Sequence, residues 1–160
     1  MGLSLLLGAA LMPPSSHADP QDFIATVGDG STAMTDAIRV EMLNVVLAKS
    51  TVKEVGVWQV QAIKDLITIY SKPTTSEALK TRIVTVLLVD TVDAHPWNNR
   101  IACKAIETMD TLYAGAGDEL KKTIVARLTQ INTTYDRYLG MYDKHRSHAA
   151  GGVLNRISRK

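Results

Sequence analysis

Apolar residues recur along this chain at helical spacing, and turn-forming residues repeatedly interrupt them. After the glycine- and threonine-rich stretch 28–36, Ile38, Met42, Val45 and Val46 fall on one side of a first helix. Thr51 and Glu54 stand at the spacing where each side chain satisfies the other's unbonded backbone N–H. That pair predicts a second helix, with Val55, Trp58, Ala62, Leu66, Ile69 and Tyr70 turned inward. Pro73 breaks it, and a similar pair, Thr74 and Glu77, opens a third helix over residues 76–90. Its run "IVTVLLV" has strand propensity, but helical signals surround it and no second strand is available to pair with it, so it is assigned to helix. Pro96 suits a helix start, where its missing N–H costs nothing, and the fourth helix runs from near Trp97 to Gly115 and Gly117. The fifth starts at Asp118 and carries Leu120, Ile124, Leu128, Ile131, Tyr135, Tyr138 and Tyr142 on one stripe, ending before Gly151 and Gly152.

Two of these helices are written alike. "VQAIKDLITIY" (60–70) and "CKAIETMDTLY" (103–113) share Ala, Ile, Thr and Tyr at matching places. The helices that follow also match: Leu79, Lys80, Ile83, Val84 and Leu87 fall on Leu120, Lys121, Ile124, Val125 and Leu128. One step back, Ala37, Val45 and Leu47 fall on Ala78, Val86 and Leu88, with Ile38 against Leu79 and Met42 against Ile83. The order is B, A–B, A–B. A two-helix unit of just over forty residues resembles the HEAT and armadillo class of α-solenoid over residues 35–142. The resemblance implies an all-α fold of five principal helices in antiparallel pairs, as a short solenoid or a compact bundle, with the third helix central. No proline interrupts either A helix, unlike many HEAT units. Two and a half units fall short of the roughly three that such an array needs, so it closes on itself or is completed by another subunit.

Composition narrows the class. With 46% apolar and 21% charged residues, the 160-residue chain can bury a self-sufficient core. Cys103 is the only cysteine, which excludes an internal disulfide. At the start, "MGLSLLLGAALMPPSSHADP" has an uncharged apolar run too short to span a membrane, followed by Ser16-His17-Ala18. This resembles a signal peptide cleaved after Ala18, although no Lys or Arg precedes the run. The expected organisation is a signal peptide (1–18), a linker (19–34), a helical repeat domain (35–150) and a basic tail (151–160), in a periplasmic or secreted protein with no transmembrane span.

Chemistry is sparse. Asp90, Asp93 and His95 in one connection, and Asp143, His145 and His148 near the last helix end, are incomplete as metal ligand sets and read more simply as turn, cap and helix-dipole devices. Cys103 matches Val60 in the other copy, the mark of a small packing position rather than a nucleophile. There is no phosphate loop, zinc-type cysteine pair or nucleophile elbow, so no catalytic, metal or cofactor site is assigned. From Arg137 onward Arg137, Lys144, Arg146, Arg156, Arg159 and Lys160 oppose Asp143 alone, giving this end +5 of a chain whose net charge is +2. These six are the expected partner-binding residues, and the paired glycines predict that "VLNRISRK" leaves the helix as a docking tail. The reading is a non-enzymatic binding or assembly component of an exported complex. Its partner is another protein, which includes a second copy or a larger assembly. An anionic envelope surface is a further target, and nucleic acid is disfavoured because Tyr138 and Tyr142 already belong to the packing stripe. The runners-up are a small secreted inhibitor of immunity type and a helical metal-binding enzyme using His95 or His145 and His148.

Overall fold

A computed structural model describes residues 35–48, 56–94, 99–134 and 141–159. Among them there is no strand, and six helices account for 87% of these residues. The run "IVTVLLV" is helical, as its surroundings required. Helix α1 covers Asp36–Ala48 and α2 Val57–Tyr70. The third helix spans 77–94 without a break: α3 (Glu77–Thr85), one π-helical turn (Val86–Asp90) and α4 (Thr91–Ala94). Then come α5 (Asn99–Ala114), α6 (Asp118–Thr133) and α7 (Met141–Ile157).

Several starts and stops depart from the sequence reading. The Thr51–Glu54 pair lies outside the described residues; α2 opens at Gly56, whose N–H donates to Gln59 Oε1 at 3.0 Å. For α3 the cap is Ser76, which accepts from the Leu79 N–H at 3.2 Å, not Thr74. Within α1 the inward face is Val40, Leu43, Val46 and Leu47, whereas Ile38 and Val45, expected inside, are 51% and 46% exposed. The expected fifth helix is two. Helix α6 stops at Thr133, with Thr134 extended, in the run Asn132-Thr133-Thr134, whose short polar side chains compete with the helical backbone for hydrogen bonds.

The chain after Gly151 and Gly152 does not leave the helix. Both glycines lie inside α7, and Ala150, Val153 and Ile157 are in the core. A Cβ added at Gly151 would sit 2.8 Å from Asn132 Oδ1, so the glycine lets α7 approach the end of α6. The Ser147 hydroxyl donates to the Asn132 carbonyl at 2.7 Å beside it. Burial of three side chains against α5 and α6 outweighs the helix cost of two glycines, about 1 kcal/mol each.

Contacts between elements place the helices side by side in two sets. Glu41 accepts two hydrogen bonds from Arg82 at 2.7 and 2.8 Å, and Asn44 donates to Asp90 at 3.1 Å, so α1 runs parallel to helix 77–94. Gly117 lies against Glu77, and Arg127 donates to the Leu88 carbonyl at 3.2 Å and to Asp93 at 2.7 Å, which sets α6 parallel on the other flank. In the second set, Tyr70 at the end of α2 donates to the Leu112 carbonyl near the end of α5 at 2.9 Å. Asp110 of α5 accepts from Arg156 of α7 at 3.0 Å. Helix 77–94 touches α1, α2, α5 and α6, and buries Ile83, Val84, Val86, Leu87, Leu88, Thr91 and Val92. Its π turn inserts an extra residue into the hydrogen-bond ladder; the Thr91 hydroxyl donates to the Val86 carbonyl at 2.7 Å and Arg127 serves Leu88. Lys80 lies over the Tyr70 ring at 5.7 Å and Lys121 over the Tyr113 ring at 5.6 Å, the same contact made twice.

Removal of residues 151–160 is expected to destabilise the domain severely, and Ile157→Ala alone by about 2 kcal/mol or more, measured by urea unfolding. The Arg82 guanidinium holds the Glu41 carboxyl below its ordinary 4.5, chiefly through their hydrogen bonds. A depressed folded value contributes stability that is complete above pH 4.5 and is lost as pH falls through the folded value. Glu41→Gln should therefore flatten that part of the acid limb in pH-dependent thermal melts, with a neutral-pH loss under about 1 kcal/mol because the pair is open to solvent.

Candidate functional site

Only part of the basic end expected to bind a partner is presented to solvent. Arg137 and Lys160 lie outside the described residues. Arg146 is 8% exposed, enclosed within the contact of α7, close enough to Cys103 for its charge to act on the thiol. Arg156 is committed to Asp110. Lys144 and Arg159 remain exposed.

Of the metal candidates, the two aspartates are engaged by other side chains. Asp90 is held by Arg82 at 2.8 Å and by Asn44, and Asp93 by Arg127. His95 lies outside the described residues, while His145 and His148 are exposed on α7. Among the described residues no three His, Cys, Asp or Glu side chains converge as ligands. Cys103 is half-buried, and its thiol is pushed up by burial and then by Glu107, against a smaller opposing influence of Arg146.

The structure gathers a different set of cations. The amino-terminal halves of α2 and α5 border a groove of about 440 Å³, within the roughly 300–1,000 Å³ span of ligand-sized clefts. Val57, Val60, Ile63 and Ile101 give it an apolar lining, and Lys64, Arg100 and Lys104 stand on it, with Gln61 the remaining polar side chain. No carboxylate is among the described lining residues. Gln61 donates to Asp65 at 2.7 Å, and Lys104 has Glu107 as a distant partner at 3.9 Å. Val57, at 74% exposure, is the most exposed large apolar side chain of the described chain. Both helices start at this groove, so their positive dipole ends add to the field of the three cations.

Helical spacing could have flagged half of this site, since Arg100 and Lys104 are four residues apart and share a face. Lys64 joins them only because α2 and α5 lie parallel, which spacing within one helix does not reveal. Chemically the groove suits an apolar group that carries negative charge at its edge. No protein-family model, curated protein or solved structure matches the chain.

Cys103 is expected to react slowly with iodoacetamide at pH 8, roughly tenfold or more slower than in the urea-unfolded chain, as read by intact mass over time.

Proposed function

We propose that this chain is a non-enzymatic binding component that takes an acidic, apolar segment of a partner protein in the groove between α2 and α5. The groove carries the reading: exposed Val57 beside Lys64, Arg100 and Lys104, with no carboxylate among the described lining residues, is complementary to apolar anchors flanked by Asp or Glu. Lys144 on the last helix and Arg159 just beyond it, both open to solvent, add to the attraction for an acidic partner.

The architecture behind it is read as a short HEAT-like array. Parallel neighbours within each set of helices support this, as does the Lys–Tyr contact that recurs between α3 and α2 and between α6 and α5. The described order becomes B, A–B, A–B, A, with α7 in the last A place. The compartment is read as outside the cytoplasm, with a mature chain starting at Asp19; residues 1–18 lie outside the described structure, and intact mass of native protein decides the point.

Affinity capture from the native envelope or medium, with the wild-type chain and a Lys64→Glu/Arg100→Glu/Lys104→Glu variant as baits, tests the function. A protein held stoichiometrically by wild type, released by salt and lost from the folded variant is the expected result. Equal retention by both baits removes the groove from the interaction. Stoichiometric metal in the purified chain, lost on replacing His95 or His145 and His148, favours the enzyme instead.

A further inference from the structure

Helices α1 and 77–94 lie side by side and bury their inner faces against α2 and α5, so their outer sides form one surface turned away from those helices. It carries three of the four large apolar side chains that are exposed among the described residues: Ile38 at 51%, Val45 at 46% and Val89 at 37%. The fourth, Val57, belongs to the groove. Val45 and Val89 each adjoin in sequence a member of the Asn44–Asp90 hydrogen bond, which brings them to the same level of the two helices. Exposed Ala48 and Ala78 extend the surface without adding polar groups.

The polar groups on this surface are engaged within the chain. The Thr81 hydroxyl donates to the Glu77 carbonyl at 2.9 Å and the Thr85 hydroxyl to the Thr81 carbonyl at 3.0 Å, so neither proton calls for an outside acceptor. Each nearby carboxylate has a cation of its own chain: Arg82 holds Glu41 at 2.7 Å and Asp90 at 2.8 Å, Arg127 holds Asp93 at 2.7 Å, and Lys80 holds Glu77 at 2.8 Å. Covering such a surface displaces less firmly held water than covering bare charges does.

We propose that a second copy of this chain covers it, the same face of each copy meeting about a twofold axis. The charges select this occupant. Because the carboxylates are already paired with cations, identical faces meet without like-charge repulsion, while an acidic segment or anionic polymer finds the cations here engaged. Apolar side chains at matching places then supply the attraction. The area sets the strength: helices of 13 and 18 residues are about 20 and 27 Å long and, about 10 Å apart, offer a footprint of roughly 400 Å² per copy. Two such faces bury about 800 Å², less than the roughly 1,200 Å² of a standard stable interface, so the dimer is reversible and concentration-dependent.

Analytical ultracentrifugation of the full chain from about 5 to about 500 μM tests this, a range suited to an interface of this size class. The average mass is expected to rise with concentration from one chain toward two. Ile38→Asp/Val45→Asp should weaken association at least roughly tenfold, because each copy would bury two unpaired carboxylates. Both side chains are substantially exposed, so helicity and Tm should hold; Thr81→Arg, at an exposed position of the neighbouring helix, gives the same answer should the double variant fail to fold. Thr111→Arg, exposed on α5 and away from this face, should associate as wild type. The Lys64→Glu/Arg100→Glu/Lys104→Glu variant should also associate as wild type, and added salt should not dissociate the dimer, which separates this contact from the groove. A chain that stays monomeric across the range overturns the proposal. So does association unchanged in folded Ile38→Asp/Val45→Asp or Thr81→Arg, and association lost in the groove variant would move the self-contact to the groove and overturn it as well.

Discussion

Burial of helix 77–94 is the constraint on which the other helices depend. Apart from one exposed strip that carries Glu77, Thr81, Val89 and Asp93, it is largely apolar, so it is stable only when neighbours cover it on both flanks and from the second set of helices. Helices α1 and α6 cover the flanks, and α2 and α5 cover the face turned toward them. The polar bonds at its edges orient this packing more than they strengthen it. Arg82 reaches across to Glu41 and back to Asp90, and Arg127 reaches Leu88 and Asp93 from the opposite side. Exposed ion pairs of this kind contribute little energy each, but they fix which turn of one helix faces which turn of the next.

The groove follows from the same packing. Helices α2 and α5 are drawn together at their carboxyl ends by Tyr70, which donates to the Leu112 carbonyl and packs near Gly115. Burial there pushes the Tyr70 hydroxyl up to about 12, so it stays a neutral donor across the ordinary pH range. At the amino ends no comparable side chain spans the gap among the described residues, and the space is lined by short apolar groups and three long cations. The helix pair is tight at one end and open at the other, which leaves the cations where a partner can reach them.

Much of this fold was legible in the sequence, because helical period is a local signal. Leu120, Ile124, Leu128 and Ile131 are buried as their spacing required, and so are Ala62, Leu66, Ile69 and Tyr70. The failures have non-local causes. Helix α1 has apolar residues on two faces, and only the positions of α2 and helix 77–94 decide which face is inside. Gly151 and Gly152 look like a helix end by propensity, but the close approach to Asn132 makes a small residue the requirement there. The partner-binding assignment suffered most, since Arg146 and Arg156 were counted by charge alone. A sequence does not show that Asp110 stands opposite Arg156, or that Lys64 lies beside Arg100 and Lys104.

The cross-helix bonds also bear on how the chain assembles in time. Glu41 to Arg82, Tyr70 to Leu112, Asn44 to Asp90 and Asp110 to Arg156 span 41, 42, 46 and 46 positions. No early segment has to wait for the far terminus to find its main partners. Such separations keep loop-closure entropy nearly constant from one step to the next, so ordering advances by addition of neighbours rather than by one distant closure. During synthesis α1 is completed once residues near 90 have emerged, and each later helix docks on a surface already formed. Helix α7 is the exception in timing. The α5 face that it covers stays uncovered until residues 141–157 have been made, so α7 docks after the helices that precede it.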